Sequence, residues 1–127
     1  MAEKQILDRL RRGAIEPCVL ALLSEQSAYA HDVVSALGRQ PGLVISEGTL
    51  YPMLSRLRRE GLVATEWRES PSGPPRRYYR LTQSGRAAVE DFRSAWQTFR
   101  TGVDAVLAGD LVLSPSKPSS ITVKETP

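Results

Sequence analysis

Apolar residues recur at helical spacing through the first part of the chain, and turn-forming residues divide this pattern into separate helices. Residues 4–12 are amphipathic, and the helix they predict ends at Gly13. A second helix is predicted from Ile15 to Ser24, with Pro17 in its first turn, where proline is tolerated. Because this second segment is apolar on most sides, we expect it to be the most buried helix.

Two further helices follow, separated by a turn. The first is predicted over Ala28–Leu37 with Ser27 as its N-terminal cap, and a short strand-like run at 43–45 comes after the turn. Ser46 then starts a helix over Glu47–Glu60. Its apolar positions are Leu50, Met53, Leu54 and Leu57.

From Leu62 the pattern changes to that of a β-hairpin. The two predicted strands are 62–69 and 76–81, joined by a six-residue tip at 70–75 that is rich in proline, serine and glycine. Thr82 then caps a long helix that begins near Gln83.

The long helix carries a heptad pattern. Apolar residues are separated by 3, 4, 3, 4 and 3 positions, which is the spacing of a helix–helix seam. These seam residues are Val89, Phe92, Trp96, Phe99, Val103 and Val106. Small residues repeat every seven positions beside them, at Ala88, Ala95, Gly102 and Gly109. We interpret the seam as the interface of a homodimer; the alternative is that it packs on the chain's own core.

Composition excludes several classes of protein. The chain has 127 residues, of which 41% are hydrophobic and 24% charged, as in one globular domain. The single cysteine, Cys18, rules out an internal disulfide or a cysteine-cluster metal site, and it is interpreted as a small buried hydrophobe. The single histidine, His31, leaves little for histidine-based hydrolase or zinc chemistry. We therefore expect no catalytic residues, no cofactor and no metal.

Neither the apolar runs nor the N-terminus indicate a membrane protein. No run approaches the roughly 18–20 apolar residues of a membrane span, and the first 13 residues are charged without a signal-peptide centre. We expect a cytoplasmic protein with no membrane partner.

The positive charge is concentrated in the middle of the chain. Residues 46–81 contain seven arginines and four acids, whereas the segments on either side each contain five basic and five acidic residues. A local basic surface attracts a polyanion, most commonly nucleic acid. The alternative is a solvated charged face without a partner.

Three helices followed by a basic hairpin are typical of a winged helix-turn-helix, a mainly α fold with a small β-hairpin. In that architecture the third helix enters the major groove of DNA, and the hairpin, or wing, lies along the backbone or the adjacent minor groove. The predicted DNA-binding residues are Ser46, Gly48, Thr49, Tyr51, Pro52, Ser55, Arg56, Arg59, Arg76, Arg77 and Tyr78. Tyr78 and Tyr79 alternate sides of the strand, so one of them is expected in the core.

The domain organisation follows from these elements. Residues 1–82 are predicted to form the winged helix-turn-helix, 83–109 the dimerisation helix and 110–127 a disordered tail rich in serine, proline and threonine.

Several stretches resemble the PadR family of bacterial transcriptional regulators. They are residues 10–13 with 19–23, then 46–54, Leu57, 60–63, and 75–82 with Gly85. The segment Gly48-Thr49-Leu50-Tyr51-Pro52 and the wing segment Arg76-Arg77-Tyr78-Tyr79 are the most specific. The resemblance covers residues 10 to about 107. It implies a dimeric repressor that binds palindromic double-stranded DNA operators, of the short subgroup with one helix after the wing.

Some members of the family that the chain resembles bind flat aromatic compounds in a pore at the dimer interface, and the sequence leaves open whether this protein has such an effector. Trp96, between Phe92 and Phe99, is the residue that would stack on such a small aromatic ligand. The alternative is that Trp96 fills the interface core. His31 is interpreted as a surface residue near a helix N-terminus, with a phosphate contact as the alternative.

Two other functions compete with DNA binding. A winged helix can serve as a protein-interaction module without specific DNA affinity, and the basic face would then meet an acidic partner. An enzyme is disfavoured because the sequence has no nucleophile–base set and no phosphate-cradling glycine loop.

Under the DNA-binding hypothesis, Arg77→Ala weakens binding to all sequences and Arg56→Ala mainly relaxes specificity.

Overall fold

A computed structural model describes residues 2–114, which form four α-helices and a two-stranded antiparallel sheet. In chain order they are α1 (Glu3–Glu25), α2 (Ala30–Leu37), a 3-10 helix (Pro41–Leu43), α3 (Glu47–Arg59), β1 (Val63–Ser70), β2 (Gly73–Leu81) and α4 (Gln83–Leu107). This order confirms the predicted fold class, a mainly helical winged helix-turn-helix in which β1 and β2 are the wing.

The helix α1 is continuous, so the predicted break at Gly13 is wrong. Glycine inside a helix lowers stability by only about 0.5–1 kcal/mol relative to alanine. Contacts made by the residues before and after Gly13 outweigh this loss. On the N-terminal side Arg11 pairs with Asp8 at 2.8 Å. On the C-terminal side the buried residues are Ile15, Val19, Leu20 and Leu23. Pro17 thus lies inside the helix rather than in its first turn, and it has no N–H to donate to the Gly13 carbonyl.

The helix α2 begins two residues later than predicted, because the segment before it contacts the wing. Ala28 and Tyr79 exchange both backbone hydrogen bonds, at 3.0 and 2.8 Å, so Ala28 belongs to a β-bridge and α2 begins at Ala30. Tyr29 takes the N-cap position without a side-chain hydrogen bond, and the predicted cap by Ser27 is wrong.

The predicted strand-like run at 43–45 is also absent. Pro41–Leu43 forms a 3-10 helix instead, because within residues 2–114 the only sheet is the wing and it offers this segment no partner.

The third helix follows its local sequence signals. The Ser46 side chain accepts a hydrogen bond from the Thr49 N–H at 3.2 Å, which confirms the predicted N-terminal cap. The predicted apolar positions Leu50, Met53, Leu54 and Leu57 are all buried. Gly61 follows the helix with φ of +77°, a left-handed conformation that glycine adopts without strain.

The wing has a shorter tip than predicted. Ser70 pairs with Gly73, so only Pro71 and Ser72 lie between the strands, whereas the sequence pattern predicts six tip residues. Pro74 and Pro75 are therefore part of β2, which proline tolerates because both strands of a two-stranded sheet are edge strands.

A close contact joins the start of α4 to the wing. The Gly85 N–H donates to Thr82 Oγ1 at 3.0 Å, and Thr82 Oγ1 donates to the Gly61 carbonyl at 2.7 Å, which confirms the predicted cap. A Cβ at Gly85 would overlap the Leu62 carbonyl oxygen and the Leu81 side chain. Only glycine allows this approach.

The described residues fall into two compact units divided between Ser94 and Ala95. In the first unit Val89 is 6% exposed and belongs to the hydrophobic core. This predicted dimer residue therefore packs on its own chain, because the first turns of α4 cover that core. Phe92 is half-buried in the same unit.

The second unit has an exposed apolar face. Trp96, Phe99, Val103 and Val106 are 44, 61, 38 and 61% exposed, respectively. After α4, Gly109 has φ of +80° and residues 110–114 form no helix or strand. The rest of the predicted disordered tail, 115–127, lies outside the described residues.

Candidate nucleic-acid interface

The side of α3 opposite its buried leucines is exposed from one end to the other. At 3.6 residues per turn its central line comprises Gly48, Pro52, Ser55 and Arg59. Tyr51, which is 49% exposed, lies on one flank of this row. The small residues Gly48 and Ser55 leave room for a groove of DNA to approach the helix closely. The structure thus brings five of the predicted DNA-binding residues to one surface.

The N-terminal turn of α3 is polar and exposed. The hydroxyl groups of Ser46 and Thr49 lie 3.2 Å apart, and both residues are exposed. Glu47 in the same turn lies 3.7 Å from His31 Nδ1. The His31 side chain is 66% exposed, as expected of a surface residue near a helix N-terminus.

Arg56 lies on the flank of α3 that faces α1, and not in the outward row. Its guanidinium forms ion pairs with Glu16 of α1 and, at 3.1 Å, with Glu60. The hydrogen bond that Arg56 donates to Glu16, followed by the one it donates to Glu60, raises the pKa of Arg56 above its ordinary value. This predicted DNA-binding residue is therefore engaged by two carboxylates of its own chain.

Arginines of the wing lie on aromatic rings. The Arg76 guanidinium carbon is 4.7 Å from the centre of the Tyr29 ring, and that of Arg77 is 4.9 Å from the centre of the Trp67 ring. Such stacking restricts a long flexible side chain. The Nε of Arg77 is buried and has no hydrogen-bond partner among the described residues.

Because side chains alternate between the two faces of β2, only one of the two wing tyrosines lies in the core, as predicted. Tyr79 is 4% exposed and belongs to the core. Tyr78 lies on the opposite face, with Arg68 4.5 Å above its ring and the Tyr29 ring 5.6 Å away. Tyr78 is thus part of the basic, aromatic face of the wing.

Two residues of this surface were not among the predicted site residues. They are Tyr29, at the N-cap of α2, and Trp67, on β1. Tyr29 contacts Arg76, Tyr78 and, at 6.0 Å between ring centres, His31. Trp67 is 65% exposed, and its position next to Arg68 in an arginine-rich segment is the sequence signal that could have identified it.

A cleft of about 390 Å³ lies between α3, the wing and the start of α2. It is lined by aromatic, basic and small polar side chains and contains no acidic residue. The lining residues are Tyr29, Ala30, Tyr51, Ser55, Trp67, Pro75, Arg76, Arg77 and Tyr79. The cleft joins the outward row of α3 to the wing arginines in one continuous surface.

Most arginines of the basic segment retain an uncompensated charge. Arg56 has two carboxylate partners, and Arg68 has Glu66 at 2.7 Å. Over residues 2–114 the others form no ion pair; they are Arg58, Arg59, Arg76, Arg77 and Arg80. These five guanidinium groups of α3 and the wing, unpaired within residues 2–114, exceed the four acidic side chains of the segment and contribute to a positive field that attracts a polyanion.

The described residues contain no group of three histidine, cysteine or acidic side chains able to hold a metal ion. In the same part of the chain, no helix combines the length and apolar character needed to cross a membrane.

Comparison with known proteins identifies the family of this chain. The model of the transcriptional regulator PadR-like family matches residues 19–91, which include α3 and the whole wing. The transcriptional regulator Rv3488 of Mycobacterium tuberculosis is 36% identical over 85 residues, covering 67% of this chain and 78% of that protein.

Solved structures give the same result. A PadR family transcriptional regulator from Eggerthella lenta is 35% identical with a TM-score of 0.72, covering 81% of this chain and 89% of that one. A PadR-like transcriptional regulator from Bacillus cereus is 30% identical with a TM-score of 0.72, covering 78% and 96%. With its winged helix and arginine-rich α3–wing surface, the chain belongs to the PadR-like family of transcriptional regulators, which are DNA-binding proteins and not enzymes.

Proposed function

We propose that this protein is a sequence-specific, cytoplasmic transcriptional repressor that binds a palindromic operator as a homodimer. The observation that carries the proposal is the continuous surface formed by the outward row of α3, the cleft of 390 Å³ and the stacked wing arginines. Its lining lacks carboxylates, so an approaching phosphate backbone meets only positive or neutral groups.

Within this surface, α3 and the wing are proposed to contact different parts of the DNA. We propose that Arg59 and Ser55 in the exposed outward row, with Tyr51 beside them, contact base edges in the major groove. We propose that Arg76 and Arg77, which stack on aromatic rings of the wing surface, contact phosphates and so fix the register of the protein on the duplex.

The second unit supports the proposal of a homodimer. A shallow apolar groove of about 510 Å³ runs along its part of α4. The groove is lined by Thr98, Phe99, Gly102, Val103, Val106, Leu107 and Leu111. A continuous apolar groove exposed to water is unfavourable. We propose that the same face of a second copy of the chain covers it. A dimer would also present two copies of α3 to the two halves of a palindromic operator.

We further propose that a small aromatic effector binds beside the seam and releases the DNA. The rings of Trp96 and Phe99 are 6.3 Å apart and inclined by 38°, and both side chains are largely exposed. This distance is that of an aromatic pair in contact, so a flat ligand would stack on the open face of one ring.

Binding to a labelled duplex taken from upstream of the protein's own gene tests the proposed function. The comparison uses random duplex of equal length as competitor at two salt concentrations. We expect tight binding to the upstream duplex that survives the competitor and weakens steeply with salt. Absence of binding to either duplex at low salt would contradict the proposal and favour a protein-interaction module.

A further inference from the structure

One arginine of α3 differs from its neighbours in being neutralised. Arg56 is bound to Glu16 and Glu60, whereas Arg58 and Arg59 have no carboxylate partner over residues 2–114. Glu16 lies 40 residues earlier, on α1, so this pairing is formed by the tertiary fold and not by the helix alone. The three side chains are 39–49% exposed, which places them at the rim of the domain rather than in its core.

The charges of this cluster oppose contact with DNA. Two carboxylates around one guanidinium leave a local net charge of −1. A phosphate that approaches Arg56 must displace one of these acidic groups and is repelled by the other. Since the cluster is open to solvent, the phosphate is not kept away by burial, and the carboxylates are what oppose the contact.

We propose that Glu16 and Glu60 withhold Arg56 from the DNA backbone and thereby limit sequence-independent binding. The proposal rests on the proposed DNA-binding function. An arginine that is free to reach phosphates adds affinity for every sequence, because phosphate contacts carry no sequence information. Glu16 is thus a positioning residue of the interface although it lies outside the outward row of α3. The prediction that Arg56 itself reads bases is replaced by this role.

The test compares the effect of Arg56→Gln in two backgrounds, the wild-type chain and the variant E16Q/E60Q. Affinity for a random duplex is measured by fluorescence anisotropy over a series of salt concentrations. In the wild-type background we expect Arg56→Gln to leave the salt slope unchanged. In E16Q/E60Q, where Arg56 is released, the same substitution should reduce the slope by about 0.9, the value of one phosphate contact.

This design separates the released arginine from a general change of charge. A general charge effect would make Arg56→Gln act equally in both backgrounds, and that result would overturn the proposal. A lower salt slope for Arg56→Gln in the wild-type chain would also overturn it, since Arg56 would then already contact a phosphate. If the wild-type protein binds no duplex at low salt, the proposed function fails first and this inference falls with it.

Circular dichroism confirms that each variant is folded before its affinity is interpreted. If E16Q/E60Q does not fold, Glu60→Gln alone serves as the second background, with a smaller change in slope expected in the same direction. Equal effects of Arg56→Gln with and without Glu60 would then contradict the proposal.

Discussion

Arg56 of α3 is paired with Glu16 of α1, although the two residues are 40 positions apart in the chain. The pair connects the helix proposed to enter the major groove with the helix that supplies much of the core. Arg56 is engaged in this pair, whereas Arg59 lies on the central line of the exposed face of α3. The proposed base contacts of α3 therefore depend on Arg59 more than on Arg56.

Substitution of Arg59 tests this assignment. We expect Arg59→Ala to cost about 1–3 kcal/mol in binding to the operator and less on random duplex, because a base contact carries sequence information. Arg39→Ala is the matched control, since Arg39 is an exposed arginine outside the proposed interface that forms no ion pair within residues 2–114. Competition binding with both duplexes measures the difference. Equal losses on operator and random DNA would assign Arg59 to the backbone instead.

Gly85 tests the contact between α4 and the wing. We expect Gly85→Ala to lower the free energy of unfolding by about 1–3 kcal/mol, as overpacking does, because the new methyl group would overlap the Leu62 carbonyl oxygen. Gly13→Ala is the control within α1, where, apart from the adjoining residues and the nearby backbone of α1, no described atom lies within 4 Å of the added carbon. It should stabilise the protein by about 0.5–1 kcal/mol. Urea unfolding distinguishes the two, and an unchanged midpoint for Gly85→Ala would refute the contact.

Local signals in the sequence were sufficient for much of this architecture. Caps such as Ser46 and Thr82 act within three residues of their own position, and both are confirmed. The buried positions of α3 follow from a single helical period, which requires no knowledge of what covers them.

Features that depend on distant partners could not be predicted in the same way. The register of the wing depends on its tip length, and a six-residue tip would place Trp67 opposite Tyr78 instead of Arg77. The contact between Arg77 and the Trp67 ring therefore could not be predicted from the strand sequences alone. Similarly, nothing near Arg56 in the chain reveals that Glu16 would engage it.

The proposed dimer is tested on the exposed face of α4. We expect Val103→Glu to convert a dimer into a monomer, because it places a charge in the apolar groove of the second unit. Thr101→Glu introduces the same charge on the opposite side of the helix and should leave the dimer intact. Sedimentation velocity measures both. A wild-type chain that sediments as a monomer would contradict the proposed interface.

The half-buried thiol of Cys18 provides a prediction about pH. Burial disfavours the thiolate and raises the pKa of Cys18 above its ordinary value. The folded protein should therefore react with iodoacetamide more slowly than the urea-unfolded chain at mildly alkaline pH. The raised pKa stabilises the folded state below the ordinary thiol pKa, and this contribution is lost as the pH rises through the folded value. Equal alkylation rates in both states would contradict the burial.

The wing arginines test the central claim most directly. Arg76 and Arg77 are stacked on Tyr29 and Trp67, respectively, and are proposed to contact two phosphates. The measurement is the salt dependence of affinity for random duplex, for the wild-type protein and for R76A/R77A. We predict that the variant flattens the slope by about 1.8, corresponding to two lost phosphate contacts. Identical slopes would show that the wing does not bind the DNA backbone and would contradict the account.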